Sequence, residues 1–315
     1  MQAITTEERY RGSLLGLAAG DALGTTLEFK PPGSFEPITD MVGGGPFSLK
    51  PGQWTDDTSM ALCLAESLVR RQGFNAADQM HLYLRWAREG YWSSTGWCFD
   101  IGNTVNAALD RFGRTDDPFA GSTDPLSAGN GSLMRLAPIP LAFHGCPELA
   151  IEKAAAMSRT THAVAEAVDA CRFYCGLICM ALGGASKRDI FEPLAHPVLL
   201  SWPAGELAPK IECVAQGSYR EKKPPQIRGT GYVVDSLEAA LWAFWITDNF
   251  RDGALAAANL GEDADTTAAI YGQLAGAFYG VQGLPDSWLQ CLTLADLIEV
   301  LASQLLQLAL QLEAQ

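Results

Sequence analysis

The chain has little histidine, no C-x-x-C pair and no uninterrupted apolar run of bilayer length. Four histidines in 315 residues leave little room for a His-rich metal centre. No Ser-His-Asp or Cys-His arrangement stands out. The eight cysteines (Cys63, Cys98, Cys146, Cys171, Cys175, Cys179, Cys213 and Cys291) lack the spacings of zinc ribbons and dithiol redox sites. Cys171, Cys175 and Cys179 recur every fourth residue, on one helix face, and read as small buried core residues. The longest apolar tail, Val300 to Leu312, is interrupted by Ser303, Gln304, Gln307 and Gln311. It is shorter than the roughly 20 residues that span a bilayer. The first residues, MQAITTEERYRG, contain no apolar h-region. The expectation is a cytoplasmic protein with no membrane contact. Basic residues are also in the minority: 22 against 36 acidic, a formal charge of −14. That balance argues against non-specific binding to nucleic acid, where basic patches supply the affinity.

β-Branched runs of period two are scarce, and no βαβ rhythm is visible. What is present is helical periodicity. Apolar residues recur at helix spacing over Glu7–Ala22, Ser59–Arg71, Ala76–Arg88, Thr104–Phe112, Pro147–Met157 and Ala163–Leu182. The same holds for Asp235–Trp245, Phe250–Leu260, Thr267–Tyr279 and Leu294–Gln311. An all-α fold follows, with many helices packed around one core and a single domain over residues 1–315. The segment after Asp265 is rich in Ala and Gly (Ala268, Ala269, Gly272, Ala275, Gly276), which predicts a central helix that approaches a neighbour closely. Lys30–Pro51, Asp116–Gly131 and Pro197–Gly231 read as loops.

Two acidic clusters carry the chemistry. Thr55-Asp56-Asp57-Thr58 and Asp263-Ala264-Asp265-Thr266-Thr267 each stand at the start of a helical pattern. Either alone is explained by N-capping and by the helix dipole. Two carboxylates at each of two sites exceed what capping needs. If the clusters meet, like charges about 4 Å apart repel by about 4 kcal/mol at an effective dielectric of 20. A shared hard cation, Mg²⁺ or Mn²⁺, removes the conflict, because carboxylate and hydroxyl oxygens are its preferred ligands.

Other segments carry weaker signals. Gly16 to Gly24 is glycine-rich but lacks the G-x-G-x-x-G spacing and a preceding strand. It suits tight helix packing as well as any function. Glu28 stands in an apolar context and needs a partner if buried; it suits a further ligand or a base. Ser127 to Arg135 is a small-residue loop whose backbone N–H groups suit a phosphate, or a plain turn. His162 reads as a hydrogen-bonded helix cap. Asp100 reads as the cap of the Thr104 helix, or as a substrate contact.

Taken together, these segments resemble the ADP-ribosylglycohydrolase family, in particular its bacterial dinitrogenase-reductase-activating type. The resemblance is carried by GLAAGDALGTTLEF (16–29), GQWTDDTSMAL (52–62), STGWCFDIGNT (94–104) and SAGNGSLMRLAPIPL (127–141). THAVAEAVDAC (161–171), GTGYVVDSLEAALWAF (229–244) and GEDADTTAAIYGQLAGAFYG (261–280) extend it. It implies an all-α orthogonal bundle around a dinuclear Mg²⁺ or Mn²⁺ centre that cleaves a glycosidic bond at C1″ of ADP-ribose. By position it implies Thr55, Asp56, Asp57, Asp263, Asp265 and Thr266 as metal ligands. Glu28, Asp57, Asp100 and Asp265 become the candidate catalytic residues. Gly129, Asn130, Gly131, Ser132, Leu133 and Met134 match the diphosphate loop, and His162 a cleft-lining histidine. Asp100 matches the arginine-linked branch, since a carboxylate suits a guanidinium leaving group. The implied substrate is a protein ADP-ribosylated on arginine and the product is ADP-ribose. Two other readings stay open: hydrolysis of another ADP-ribose linkage (serine, O-acetyl-ADP-ribose or nucleic acid), and a non-catalytic member, structural or binding an ADP-ribosyltransferase.

Overall fold

A computed structural model describes residues 3–200 and 206–314. Fifteen α-helices and no strand occur among them. In chain order the helices are α1 (Thr6–Gly24), α2 (Asp56–Arg71), α3 (Ala76–Glu89), α4 (Asn103–Thr115) and α5 (Pro138–Phe143). Then come α6 (Pro147–Arg159), α7 (Ala165–Leu182), α8 (Lys187–Phe191), α9 (Pro197–Leu200) and α10 (Pro209–Ala215). The last are α11 (Val233–Ile246), α12 (Phe250–Ala258), α13 (Ala264–Tyr279), α14 (Asp286–Cys291) and α15 (Ala295–Glu313). Every helix expected from periodicity is present, most within two or three residues of its expected ends. The starts of α2 and α13 lie three residues earlier than expected and so take in Asp56, Asp57 and Asp265.

The frame is set by α1 and α13, which cross antiparallel with almost no side chain between them. A Cβ placed on Gly12, Gly16, Gly20 or Gly24 would lie 2.2, 2.4, 2.1 or 2.3 Å from the carbonyl oxygens of Gly276, Gly272, Ala268 and Ala264 respectively. Only hydrogen fits there, so the Gly16–Gly24 motif is a packing spine. Its spacing of four keeps the contact on one helix face over several turns. The other helices pack around this pair. Buried Cys171, Cys175 and Cys179 lie on α7, as small core residues.

Three short helices escaped the sequence reading: α5, α8 and α14. Each has fewer than seven residues, too few for a periodic signal. The expected loop Pro197–Gly231 is also corrected. Residues 201–205 lie outside the described residues, but α9, α10 and a 3₁₀ turn at Ser218–Glu221 occupy much of the rest. Pro209 starts α10, where its missing N–H has no cost, and buried Ile211 and Val214 anchor it. Two basic residues of this segment are tied down: Lys222 pairs with Glu238 at 2.7 Å, and Arg220 lies over the Trp245 ring at 5.6 Å. α15 has the length and mean hydropathy, 1.2, of a membrane span, more than the Val300–Leu312 tail suggested. Its Ile298, Leu301, Ala302, Leu305, Leu308 and Ala309 face the core.

Candidate active site

The α1–α13 crossing brings the end of α1 against the start of α13. A Cβ on Gly24 would lie 2.4 Å from the Cα of Asp265. Four residues on, Glu28 therefore reaches the start of α13. Two backbone hydrogen bonds lock this junction: Phe29 N–H donates to Glu262 O at 2.7 Å, and Glu262 N–H donates to Lys30 O at 2.8 Å. Phe29, Asp100 and Glu262 all hold left-handed backbone, with φ of 59°, 58° and 56°. Non-glycine residues resist this conformation, and such strain clusters at functional sites. Here it flanks Glu28 and Asp263 and aims Asp100.

The two acidic clusters meet. Thr55 Oγ1 lies 3.3 Å from Asp57 Oδ2 and 3.2 Å from Asp265 Oδ2, and Thr266 Oγ1 lies 3.3 Å from Asp57 Oδ2. Asp265 also groups with Glu28 and Asp100, the three offering oxygens all within 4.8 Å of one another. Asp56, Asp263 and Thr266 line the adjoining cleft. Neither cluster caps its own helix: Thr55 and Asp263 occupy the N-cap positions of α2 and α13, yet neither side chain makes a cap hydrogen bond. Asp263 Oδ2 instead accepts from Asn130 Nδ2 at 2.7 Å. The capping explanation fails at both places.

Burial, and then the mutual repulsion of Asp21, Asp56, Asp57, Asp100, Asp263 and Asp265, pushes Asp56, Asp57 and Asp265 well above the usual carboxylate range. Glu28 rises strongly for the same reasons, with Asp265 and Asp100 its main neighbours. Asp100, less deeply placed, is raised to about 7 by burial and by Asp263 and Asp21. Asp57 Oδ1 and Glu28 Oε2 are buried with no hydrogen-bond partner. Unpartnered buried carboxylate oxygens among crowded like charges are what a divalent cation would satisfy, so the residues present fit a metal centre.

A cleft of about 490 Å³ opens from this cluster. One wall is the start of α4 (Gly102, Asn103, Thr104); the other is Gly129, Asn130, Gly131 and Met134, with His162 behind. The α4 cap is Gly102, so Asp100 is not that helix's cap and is free to face the cleft. His162 is likewise no cap, since Val164 holds that position on α7. Its ring packs under the loop: a Cβ on Gly131 would lie 2.9 Å from His162 Cε1. Burial and the Arg135 guanidinium lower His162 to about 3, so it is neutral.

The Gly129–Met134 loop is only partly as expected. Ser132 and Leu133 turn their side chains inward, Ser132 bonding Ser158 at 2.8 Å. The N–H groups of Gly129, Asn130, Leu133 and Met134 are taken by carbonyls of Ser127, Gly231, Asn130 and Asn130. Only those of Gly131 and Ser132 are left without a partner among the described residues. The cradle is thus narrower than a six-residue loop suggests. Three residues that sequence reasoning passed over hold these parts in place. Arg135, fully buried, donates to Gly131 O at 2.7 Å and Thr161 Oγ1 at 2.6 Å. Gln273 of α13 donates to Leu133 O and Met134 O. Asp21 of α1 accepts from Thr55 and Thr58. Each was visible as a polar residue inside an apolar run, the one signal available.

A family model described as ADP-ribosylglycohydrolase matches residues 2–314. The chain belongs to the ADP-ribosylglycohydrolase family. Among its relatives is "ADP-ribosylarginine hydrolase Tri1" of Pseudomonas putida, 44% identical over 97% of this chain and 80% of that one. The dinitrogenase-reductase type singled out from sequence is more distant. "ADP-ribosyl-[dinitrogen reductase] glycohydrolase" of Rhodospirillum rubrum is 32% identical over 92% of each chain. A solved structure titled "ADP-ribosylglycohydrolase-related protein complex" superposes with a TM-score of 0.85 at 43% identity, covering 96% of this chain and 99% of that one.

Proposed function

We propose that this family member hydrolyses the N-glycosidic bond between ADP-ribose and an arginine side chain of a modified protein, with two divalent cations, Mg²⁺ or Mn²⁺, held by Thr55, Asp56, Asp57, Asp263, Asp265 and Thr266. The single observation that carries the reading is the meeting of two helix N-termini whose N-cap side chains do not cap. The buried Asp57 Oδ1 beside them has no partner. Relatives named for arginine-linked hydrolysis support the substrate class.

When bound, the cations would neutralise the carboxylates and act as Lewis acids toward ribose hydroxyls and water. The protein's own groups do the rest. Gly131, which lines the cleft with an N–H unpartnered among the described residues, would hold the diphosphate there, and neutral His162 supports Gly131 from below without adding charge. Water adds to C1″ while the electron pair of the C1″–N bond leaves with the guanidine nitrogen, through an oxocarbenium-like state. Glu28, whose carboxylate has an unpartnered oxygen, would take the proton from that water once bound cations offset the burial and the neighbouring carboxylates that hold it protonated. Asp100 lines the cleft beside Glu28, where it would face the guanidinium and could pass a proton to the departing nitrogen.

The test is incubation with ADP-ribosylarginine and Mg²⁺, following free ADP-ribose, with EDTA as control. Release that EDTA abolishes and Mg²⁺ or Mn²⁺ restores is expected. Full activity in metal-free buffer would sink the metal assignment. Turnover of ADP-ribosylserine or O-acetyl-ADP-ribose alone would move the reading to another linkage.

A further inference from the structure

Asp21 lies on α1, fully buried, and is not among the residues that line the cleft beside the carboxylates. Its Oδ1 accepts from Thr55 N–H at 2.8 Å and Thr55 Oγ1 at 2.9 Å. Its Oδ2 accepts from Thr58 N–H at 3.0 Å and Thr58 Oγ1 at 2.6 Å. A carboxylate has about four lone-pair sites, and all are filled. Asp21 therefore caps α2 from another helix, and its orientation is fixed.

The consequence falls on Thr55. Its hydroxyl has one proton and three acceptors in range: Asp21 Oδ1 at 2.9 Å, Asp265 Oδ2 at 3.2 Å and Asp57 Oδ2 at 3.3 Å. The shortest contact is to Asp21, which the Thr55 N–H also holds. With the proton spent there, the Thr55 oxygen turns only lone pairs toward Asp57 and Asp265. Once Asp57 and Asp265 are ionised, oxygen faces oxygen without hydrogen, an arrangement a cation relieves. Asp57 Oδ1, buried and unpartnered, points independently to an ion in this place.

We propose that Asp21 is a positioning residue that acts through Thr55. It draws the Thr55 proton out of the carboxylate cluster, and so converts the hydroxyl into a neutral oxygen ligand aimed at the metal. The proposal rests on the reading of the cluster as a metal centre. Partners of this kind, one step removed from the ion, typically alter metal affinity 10- to 100-fold. Asn is the informative replacement. Its amide must turn NH₂ toward one of the two threonine donor pairs: facing Thr55 it releases the Thr55 proton toward Asp57 and Asp265, and facing Thr58 it breaks the lock that orients the side chain toward Thr55.

The experiment is Mn²⁺ titration of the substrate-free protein, with free Mn²⁺ read by electron paramagnetic resonance. Asp21→Asn is expected to weaken Mn²⁺ binding at least tenfold, and Thr55→Val similarly. The double variant should be no more than about threefold weaker than the worse single, because both remove one interaction. Thr55→Ser, which keeps the hydroxyl, should stay within threefold of the unmodified protein. A structural role alone would make the two losses multiply, and that result overturns the proposal, as does Asp21→Asn binding within threefold of the unmodified protein. Failure of the unmodified protein to bind Mn²⁺ would instead remove the metal reading itself. Should Asp21→Asn not fold, Thr58→Val serves. It deletes the 2.6 Å bond that fixes the Asp21 carboxylate and leaves the Thr55 hydroxyl in place. It should weaken Mn²⁺ binding at least threefold, and an unchanged affinity overturns the proposal.

Discussion

Replacing Asp57 by Asn should remove catalysis and yet leave the metal-free protein at least as stable as before. Asp57 is completely buried, with one oxygen unpartnered and the other 3.3 Å from each of two threonine hydroxyls. Its charge is opposed by burial, by Asp21 and by Asp265. Asn fills the same volume without the charge, so no cavity cost is added. Relief worth a single pKa unit is about 1.4 kcal/mol. An unfolding entropy of about 2.1 cal/mol/K per residue over 315 residues is about 0.66 kcal/mol/K. The metal-free midpoint should therefore stay level or rise by about 2 °C. Binding of one cation at 100 times its Kd adds about 2.7 kcal/mol to the unmodified protein, a rise of about 4 °C. In Asp57→Asn that rise should shrink below about 1 °C. Differential scanning calorimetry with and without Mg²⁺ reads both numbers. A metal-free midpoint that falls by 5 °C or more would mean that the cluster is a hydrogen-bonded cap network, and the argument from repulsion would be wrong.

Three further outcomes are expected. Asp100→Ala should bind ADP-ribose within a few-fold of the unmodified protein by calorimetry, but cleave ADP-ribosylarginine at least tenfold more slowly, since a lost hydrogen bond to a charged group is worth about 1.5–3 kcal/mol; unchanged turnover would remove Asp100 from the leaving-group side. Gly16→Ala puts a Cβ 2.4 Å from Gly272 O and should destabilise by about 1–3 kcal/mol through overpacking, whereas Gly113→Ala on α4, whose nearest neighbour would be Arg88 Nη2 at 3.6 Å, should be neutral or stabilising in urea melts. His162 is lowered on folding to about 3 from 6.5, so its contribution is present above about pH 6.5 and is lost as pH falls toward 3. His162→Gln should therefore lose less stability than the unmodified protein between pH 6.5 and 4, and parallel acid-denaturation curves would contradict the buried neutral imidazole.

The amphipathic helices were legible because each buries a regular stripe, as Val105, Ala108, Leu109 and Phe112 do on α4. By contrast α1, buried on all sides from Gly12 to Gly24, was legible by its length and its freedom from breakers other than glycine. α5, with Pro138 and Pro140, offers no such stripe, and a proline-containing hexapeptide reads as a turn until its burial is known. The acidic clusters were legible for a different reason: two carboxylates per helix start is a chemical excess that capping does not explain. The left-handed backbone of Phe29, Asp100 and Glu262 was not legible. None is glycine; for Phe29 and Glu262 it is held by the hydrogen-bonded junction between the α1 end and the α13 start.

Asp21 marks the boundary between what a sequence reading can and cannot reach. In sequence it stands in a glycine-rich helix and is most simply a tolerated polar residue. Its partners, Thr55 and Thr58, lie on another helix. The α1–α13 spine sets where α1 lies, and so where Asp21 meets α2. The Gly16–Gly24 motif was weighed as packing or function, and the structure makes these one thing. The backbone approach that excludes side chains at Gly20 and Gly24 is what sets the carboxylate of Asp21 beside Thr55. A packing defect at Gly20 should then reach the site through Asp21, and lower Mn²⁺ affinity before the protein unfolds. Gly20→Ala measured by the same Mn²⁺ titration should bind several-fold more weakly at temperatures where its circular dichroism is still native, and unaltered affinity would separate the spine from the site.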